Sequence, residues 1–556
     1  MKESNDILVL FESLNNHEVF TPPRLAKQML ELFPDDVWTH PEYKFLDPCV
    51  KSGVFLREMF YKLFEGLEGK GKFAADDGIT YDLNDNRQRI NHIFKNMLYG
   101  IATSELTGYV SRRTLYGVME ADSDKQLSAI ESFERSKNFR DWTEQQKLDF
   151  VGRNQFNDYF DHTIFKTKEY EGFEKEGNIF YPNNEVKQIV AEEGNFIIED
   201  TYFPFIDDRT KHRKILDIKE QKMKFDVIIG NPPYQISDGG HGRSAAPIYH
   251  KFVQHAKSMK PRYLTMIIPA RWFAGGKGLD DFRSEMLNDS RIRHLVDYEN
   301  SNDVFPGVDV AGGICYFLWD RDNAGLCEVT NFNKVNKTKS SRALNEFPVF
   351  IRHSQAIPII RKVLGANENN GKRLSDRVSA RKPFGLPTNY PPSNSGVPCW
   401  FVQKIGLKFA KLPDIKDSFE LLNKWKLLVP KAPIAGQTDF SKPVGFYYNG
   451  NTRIAKPGEC CTESWIAAGA FNSEKEVLSF RSYLFTKVVR FLLLQTVISQ
   501  DVTRQNFIFI PDLGRYDKIF TDKDLIDRWS ITEEEWKFID SKIKTIEPSD
   551  GGLNDE

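Results

Sequence analysis

The segment Phe225-Asp226-Val227-Ile228-Ile229-Gly230-Asn231-Pro232-Pro233-Tyr234 carries the most specific chemistry in the chain. Its apolar half reads as a buried strand that runs straight into Asn-Pro-Pro-Tyr. Two prolines fix the backbone and delete two N–H donors. What remains is rich in acceptors, namely the Asn231 side-chain oxygen and the Pro232 carbonyl, with the aromatic face of Tyr234 beside them. Such a set suits methylation of a planar amine. The exocyclic amino group of adenine has two hydrogens, and its lone pair is delocalised into the ring. Two acceptors gripping both hydrogens would draw the nitrogen toward a tetrahedral, nucleophilic state. That is stabilisation aimed at charge that develops in the transition state. An aromatic face would hold a base that has left its duplex stack. The plainer reading is a strand followed by a proline-fixed turn. Ligands in open α/β sheets bind at the carboxyl ends of strands, where this segment would sit.

The elements that must position this motif read as alternating strands and helices. Leu25 to Phe33 has helical apolar spacing after Thr21-Pro22-Pro23, with proline suited to a first turn. Tyr43 to Leu46 is a short apolar run ending at Asp47-Pro48, and Val54 to Phe64 is again helix-spaced. Met97 to Ala102 reads as the next strand and Leu106 to Leu115 as the next helix. This rhythm implies an α/β fold, with a mostly parallel sheet and helices on both faces. Residues 121–194 break it and read as a helical stretch followed by an insertion or hairpin around Asp161 to Asn184. Strand character returns at Asn195 to Ile198, Phe225 to Ile229, Tyr263 to Ile268, His294 to Tyr298 and Ala311 to Trp319. A polar stretch from Asn331 to Lys339 suggests a domain boundary. The expected domains are 1–335, catalytic; 336–515, α+β; and 516–556, a helical tail. A last helix-strand unit, Glu476 to Ile510, could pack on either domain.

The 556 residues are 40% hydrophobic, which excludes wholesale disorder. The longest apolar run, Val488 to Ile498, is interrupted by Arg490 and Gln495 and falls short of the ~20 residues a membrane span needs. Met1-Lys2-Glu3-Ser4 opens without a signal pattern. Six cysteines lack C-x-x-C spacing, so neither a zinc site nor a redox motif is indicated. The expected protein is reduced, soluble and cytoplasmic, and metal-free. A formal net charge of −2 argues against a nucleic-acid partner only until it is resolved along the chain. The window from Gly371 to Cys460 holds about 15 Lys+Arg and about 6 Asp+Glu, roughly +9, so the remainder carries roughly −11. That window also carries Phe384, Tyr390, Trp400, Phe401, Trp425, Phe446, Tyr447 and Tyr448. Basic residues interleaved with aromatics suit phosphate contact and base stacking, although a solvated surface over an aromatic core would look the same.

Taken together, the motifs resemble those of the gamma-class, TaqI-like adenine-N6 DNA methyltransferases of restriction–modification systems. Val19-Phe20-Thr21-Pro22-Pro23 matches that class's N-terminal motif, Phe45 to Leu56 its cofactor loop, and Asn231 to Tyr234 its catalytic motif, in the same order. The likeness covers roughly residues 15–330 by motif order. It implies a Rossmann-like methyltransferase fold, S-adenosylmethionine as cofactor, and a C-terminal target-recognition domain. It also implies roles. Asn231, Pro232, Pro233 and Tyr234 would be catalytic, and Phe20, Thr21, Pro22, Asp47, Pro48, Ser52 and Gly53 would hold the cofactor. Asp200 would bind the cofactor's adenine amino group, although a carboxylate after a strand is also a common helix cap. Phe305 would form a second wall for the flipped base beside Tyr234, although a core Phe at a strand entrance reads equally well. A turn from strand to helix at Asp47 to Gly53 would bring N–H groups toward the cofactor carboxylate.

The chain departs from that pattern twice. Lys51 stands where the loop usually has glycine, and Ala102 where an acid usually takes the ribose hydroxyls; Glu105 or Thr103 could substitute. Arg271 and Lys277, flanking Gly275-Gly276, are candidates for the DNA backbone. Base-edge contacts are sought among Arg373, Arg377, Arg381, Lys382, Gln403, Lys404, Lys431, Gln437 and Arg453. Ser237 to Arg243 reads as a loop that could order over the base. Pro34-Asp35 with Glu42-Tyr43-Lys44 spells a nuclease pattern, but too little chain surrounds it for a nuclease domain. Cleavage would come from a separate endonuclease. The leading expectation is a bacterial or phage enzyme acting as a monomer on double-stranded DNA. Methylation of RNA or of a protein glutamine, and a catalytically weak specificity subunit, stand as alternatives.

Overall fold

The computed structural model describes residues 20–102, 111, 173–176, 179–182, 196–197, 205–206, 224–235, 247–274, 278–308, 310, 312–333, 336–434, 442–447, 449–497 and 501–546. The chain divides into two compact units, Met1–Ala270 with Gly276–Glu346, and Arg271–Gly275 with Phe347–Glu556.

In the first unit, Pro22 is extended and Pro23 opens helix α1 (Pro23–Leu30), which buries Leu25, Ala26, Met29 and Leu30 on one face. All six residues of β1 (Phe45–Val50) are buried. Helix α2 (Val54–Gly66) follows and buries Phe55, Met59, Phe60 and Leu63. A small hairpin, β2 (Lys72–Ala74) and β3 (Thr80–Asp82), and helix α3 (Asn86–His92) lead to β4 (Leu98–Ala102). Beyond them come β5 (Phe173–Glu176), β6 (Ile179–Pro182), β7 (Phe196–Ile197), β8 (Phe205–Ile206) and β9 (Val227–Gly230). Helix α4 (Tyr249–Ser258), β10 (Tyr263–Pro269), helix α5 (Asp280–Asn288), β11 (Ile292–Tyr298), β12 (Ile314–Asp320), β13 (Cys327–Asn333) and β14 (Asn336–Arg342) complete the unit.

The main sheet has the order β14-β13-β11-β12-β10-β9-β1-β4-β6-β5. It is parallel through β10, β9, β1, β4 and β6. It turns antiparallel where β12 enters between β10 and β11. The sheet is therefore mixed, with its parallel part at the centre. β1 and β9 lie where the strand order reverses, with β4 on one side and β10 on the other. Such a switch point opens a crevice at the carboxyl ends of the strands. One buried cluster among the described residues draws on α1, α2, β1, β9 and β11. Trp38 stacks on Phe45 there, with ring centroids 5.6 Å apart.

In the second unit, helix α6 (Ala356–Gly365) is followed by β15 (Val397–Trp400), β16 (Leu407–Ala410), β17 (Trp425–Pro430), β18 (Arg453–Ala455), β19 (Cys460–Cys461) and β20 (Trp465–Phe471). Helices α7 (Glu474–Phe485), α8 (Lys487–Leu494), α9 (Asp522–Trp529) and α10 (Glu533–Lys542) follow. The strands form two three-stranded sheets, β16-β15-β19 and β18-β17-β20.

Several expectations change. Asn331 to Lys339 is not a linker but most of the β13–β14 hairpin, because alternation of Val329, Asn331 and their neighbours fits an edge pair despite their polarity. The division falls at Glu346, not 335. Residues 516–546 do not stand apart as a tail: Leu525, Trp529, Ile539 and Ile543 belong to the second unit's main core. The apolar run from Val488 is helix α8, buried in that same core. The hairpin sought around Asp161 to Asn184 is β5–β6, and β6 pairs with β4. Strand β7 pairs with β8 rather than with the main sheet. The helix from Leu106 to Leu115 lies outside the described residues, Ser111 excepted. All six cysteines are buried free thiols. Among the described residues no helix is long and apolar enough to cross a membrane.

Candidate active site

β1 and β9 are parallel neighbours, with Phe45 opposite Val227 and Leu46 opposite Ile228. Beyond β1 the chain enters Lys51-Ser52-Gly53 and α2; beyond β9 it enters Asn231 to Tyr234. Two segments far apart in sequence thus leave the same edge of the sheet.

Gly53 sits at φ 78°, ψ 12°, a left-handed conformation, directly before α2. A Cβ there would lie 2.7 Å from the Ser111 carbonyl oxygen, so the turn needs glycine for both backbone angle and space. The N-cap of helix α2 is Gly53, which has no side chain to cap it, and the first turn holds no acid. Its first amides and the positive end of its dipole suit an anionic group. Ser52 is buried beside them. Lys51 is also buried and is not among the residues with positive φ, so the backbone demands no glycine at that position.

Asp47 is 2% exposed, and its Oδ1 accepts the Cys49 N–H at 3.0 Å. Burial pushes its carboxyl up to about 7, against the Cys49 bond and the Lys51 charge, which pull it down. Pro48 and Asp47 also face β9 closely: a Cβ on Gly230 would lie 3.2 Å from Pro48 Cδ and 3.3 Å from Asp47 Oδ1.

Asn231 is 1% exposed, and its Nδ2 donates to Thr21 Oγ1 at 3.1 Å. Thr21 and Phe20 are buried, and Pro22 precedes α1. The N-terminal motif and the catalytic motif therefore meet through this hydrogen bond, which orients the Asn231 amide. Pro232 is buried and Pro233 half-buried. The Tyr234 ring is half-buried, and its hydroxyl is buried with no hydrogen-bond partner among the described residues. Burial pushes that hydroxyl well above the usual phenol range. The Tyr234 carbonyl accepts the Ile248 N–H at 3.2 Å, and Gln235 bridges to Pro247, which anchors the end of the motif.

Phe305 departs from expectation. It is 2% exposed and belongs to the first unit's core with Val304, Ile314 and Tyr316, so its ring is packed rather than presented to a base. Its N–H donates to the Ser301 carbonyl at 2.7 Å, holding the turn that buries it. Thr103, Glu105, Asp200, Lys277, Gln437 and the loop Ser237 to Arg243 lie outside the described residues. Arg271 is half-buried in a single turn, Ala270–Phe273, that follows β10. Among the described residues no cluster of three or more His, Cys, Asp or Glu is placed to hold a metal.

In the second unit, the basic residues singled out from the sequence separate into two groups. Arg381 Nε donates to Glu463 at 2.5 Å, while Lys382 and Lys431 lie 3.5 and 3.7 Å from the same carboxylate. Burial raises the Glu463 carboxyl, but the Arg381 bond and the three charges outweigh it and hold it below the usual range. Arg377 pairs with Asp512 at 2.9 Å. Arg453 donates to the carbonyls of Gly450 and Thr452 and lies over the Trp400 and Trp465 rings. Among the described residues the Arg373 side chain makes only a 3.4 Å hydrogen bond, to the Lys372 carbonyl. Lys404 is exposed and has no ion pair or side-chain hydrogen bond among the described residues.

The aromatic residues of the basic window are mostly core rather than stacking surfaces. Phe384, Phe401, Phe446 and Tyr447 are each 1% exposed or less. Glu463, which gathers three cations, was not singled out from the sequence. A single acid in a basic window has no local signal of that role.

The site is an α/β switch point with a glycine loop, a helix N-terminus behind Gly53, and an Asn-Pro-Pro-Tyr whose Asn231 and Pro232 are buried. Residues 96–305 match the model of the Eco57I restriction-modification methylase family. An uncharacterized adenine-specific methylase of Mycoplasma pneumoniae is 33% identical over 349 residues, which cover 60% of this chain and 75% of that protein. The chain belongs to this family of adenine-specific restriction-modification methylases, and its first unit is an α/β domain whose mixed sheet has a parallel centre. Among solved structures, the methyltransferase subunit of a type I restriction-modification system from Streptococcus thermophilus is 11% identical, with a TM-score of 0.29 over 58% of this chain and 49% of that one. The type IIL restriction-modification enzyme MmeI, solved in complex with DNA, is 11% identical, with a TM-score of 0.38 over 86% of this chain and 63% of that one.

Proposed function

We propose that this methylase transfers a methyl group from S-adenosylmethionine to the exocyclic N6 of an adenine in duplex DNA, at a sequence selected by its second unit. The observation that carries the reading is the 3.1 Å hydrogen bond from Asn231 Nδ2 to Thr21 Oγ1. It holds the amide of a buried asparagine in one orientation at the mouth of the switch point.

The cofactor fits the residues present. The start of α2, behind Gly53, suits a carboxylate, and Asp47, Pro48, Ser52, Phe20, Thr21 and Pro22 stand around the same strand ends. When bound, S-adenosylmethionine supplies an electrophilic methyl group on its sulfonium. The rest falls to the chain. Asn231 and the Pro232 carbonyl accept the two amino hydrogens of the adenine, and so localise the nitrogen lone pair as positive charge develops. Tyr234 lends its half-exposed ring as a stacking wall for a base taken out of the duplex. No covalent enzyme intermediate and no metal is required. Phe305 is left out of this wall because its ring is in the core.

Methylation-sensitive sequencing of DNA from cells expressing the protein tests the reading. N6-methyladenine at one recurring sequence is expected. Unmodified DNA, with methyl label instead in RNA or protein, would replace DNA as the substrate.

A further inference from the structure

We propose that the β15–β16 hairpin is the element that enters the major groove of the target duplex, with Gln403 and Lys404 at its tip reading base edges. The inference rests on the proposal that the substrate is duplex DNA.

Of the cations drawn from the sequence, Arg381, Lys382 and Lys431 share Glu463, Arg377 is held by Asp512, and Arg453 is held by carbonyls and rings. Each of these already has a partner within the fold. Lys404, Lys408, Lys411 and Lys416 form no ion pair and no side-chain hydrogen bond among the described residues, and all lie on or directly after the hairpin. The segment from Gln403 to Lys416 contains one acid, Asp414, against these four lysines.

Exposed apolar surface gathers at the same place. Ile405, Leu407, Phe409 and Leu412 are 42, 44, 38 and 63% exposed. Leu407 and Phe409 alternate along β16 and so share one face of an edge strand. Apolar side chains flanked by unpaired cations fit a duplex groove, where thymine methyl groups lie between two rows of phosphate. A second copy of the chain would set these lysines against one another, which disfavours a self-complementary contact.

The hairpin is also shaped and braced for the task. The Ile405 N–H donates to the Val402 carbonyl at 2.8 Å, and the Phe401 N–H to the Gly406 carbonyl at 3.0 Å. Gly406, at φ 72°, closes a tight turn with Gln403 and Lys404 at its centre. Among the described residues the Gln403 side chain makes only a 3.4 Å hydrogen bond, to the Gly450 carbonyl. The base is fixed by Cys399, Phe401 and Ala410 in a buried cluster, and by Trp465 Nε1, which donates to the Phe401 carbonyl at 2.6 Å. A two-stranded ribbon matches the major groove, which is about 12 Å wide. Glutamine and lysine present the donors and acceptors used against adenine and guanine edges.

The test uses the full chain, a duplex carrying the methylated sequence, and a scrambled duplex. Lys404→Ala/Lys408→Ala should weaken binding about tenfold or more and flatten the dependence of log affinity on log salt by about 0.9 for each phosphate no longer neutralised. S-adenosylmethionine affinity and melting temperature should not change, and Lys404→Arg/Lys408→Arg should restore binding. Gln403→Ala should relax the methylated sequence at one position. Wild-type affinity and salt slope in the double Ala variant, with DNA methylation intact, would overturn the hairpin's role and leave the DNA reading standing. Loss of self-association in that variant, with DNA affinity unchanged, would assign the patch to a second copy and equally overturn the proposal. A wild-type chain that neither binds nor methylates DNA would remove the reading beneath it.

Discussion

Asn231 is held by Thr21, and the two residues make separable predictions. Asn231→Ala removes an acceptor aimed at the reacting amine and should lower the transfer rate by about 10²–10³ or more while S-adenosylmethionine still binds. Thr21→Val keeps the shape of the side chain and deletes the Oγ1 acceptor of the 3.1 Å bond. It should cost about 1 kcal/mol of stability. The turnover rate should fall on the order of tenfold as the amide loses its orientation, one such factor being worth about 1.4 kcal/mol. Thr21→Ser should retain most of the activity. Equal rates for Thr21→Val and wild type in single-turnover assays would show that Thr21 does not position Asn231.

Asp47 carries a pH signature. Its carboxyl is pushed up to about 7 by burial, above its ordinary value, so the folded chain binds that proton more tightly than the unfolded chain. The contribution to stability is therefore full below about pH 4 and is lost as pH rises through about 7. The loss amounts to a few kcal/mol, on the order expected for a shift of this size. Asp47→Asn can keep the Cys49 hydrogen bond and removes the titration. Chemical denaturation should find the variant more stable than wild type at pH 8, with the difference vanishing near pH 4. Parallel stability curves would show that Asp47 is not a buried titrating acid.

Among the elements, the β1–α2 turn is the least tolerant. Gly53→Ala places a methyl group 2.7 Å from the Ser111 carbonyl oxygen at a left-handed φ. It should cost about 1–3 kcal/mol in strain alone and weaken cofactor binding, read by calorimetry. The cluster on Glu463 predicts a gain instead. Glu463→Gln releases Arg381, Lys382 and Lys431 from a shared carboxylate, and affinity for scrambled DNA should rise several-fold at fixed salt, about one fewer repulsive charge facing the phosphates. Unchanged affinity would place the cluster away from DNA.

The elements around the site were legible because each had a local signature. Pro23 opens α1, the apolar runs became β1, β9, β10, β11 and β12, and Gly53 marks the strand-to-helix turn. The β13–β14 pair was not legible, since an edge hairpin rich in Asn, Lys and Ser has the composition of a linker. Phe305 and the buried aromatics of the basic window show a second limit. Composition places an aromatic near a function, but only packing decides whether its ring faces a ligand or a core. Phe409, exposed on β16, was passed over for the same reason. The bond between Thr21 and Asn231 needs the fold to bring the two motifs together, although each motif was visible alone.

For the whole molecule, the net charge of −2 is the near-cancellation of an acidic body and a basic window. Binding to DNA should therefore weaken steeply with salt, the slope counting neutralised phosphates at about 0.9 each, and should be governed by the second unit's cations rather than by total charge. Titration of a labelled duplex from low to high salt reads this slope. A flat response would leave the basic window as a solvated surface.

The most direct measurement is nucleoside analysis of DNA after incubation with S-adenosylmethionine labelled in its methyl group. Wild-type protein should place the label in N6-methyladenine, and Asn231→Ala should place it there at least about 10²–10³ times more slowly while still binding the cofactor. Label in a methylated cytosine, label absent from DNA, or undiminished transfer by Asn231→Ala would contradict the assignment of adenine methylation to this motif.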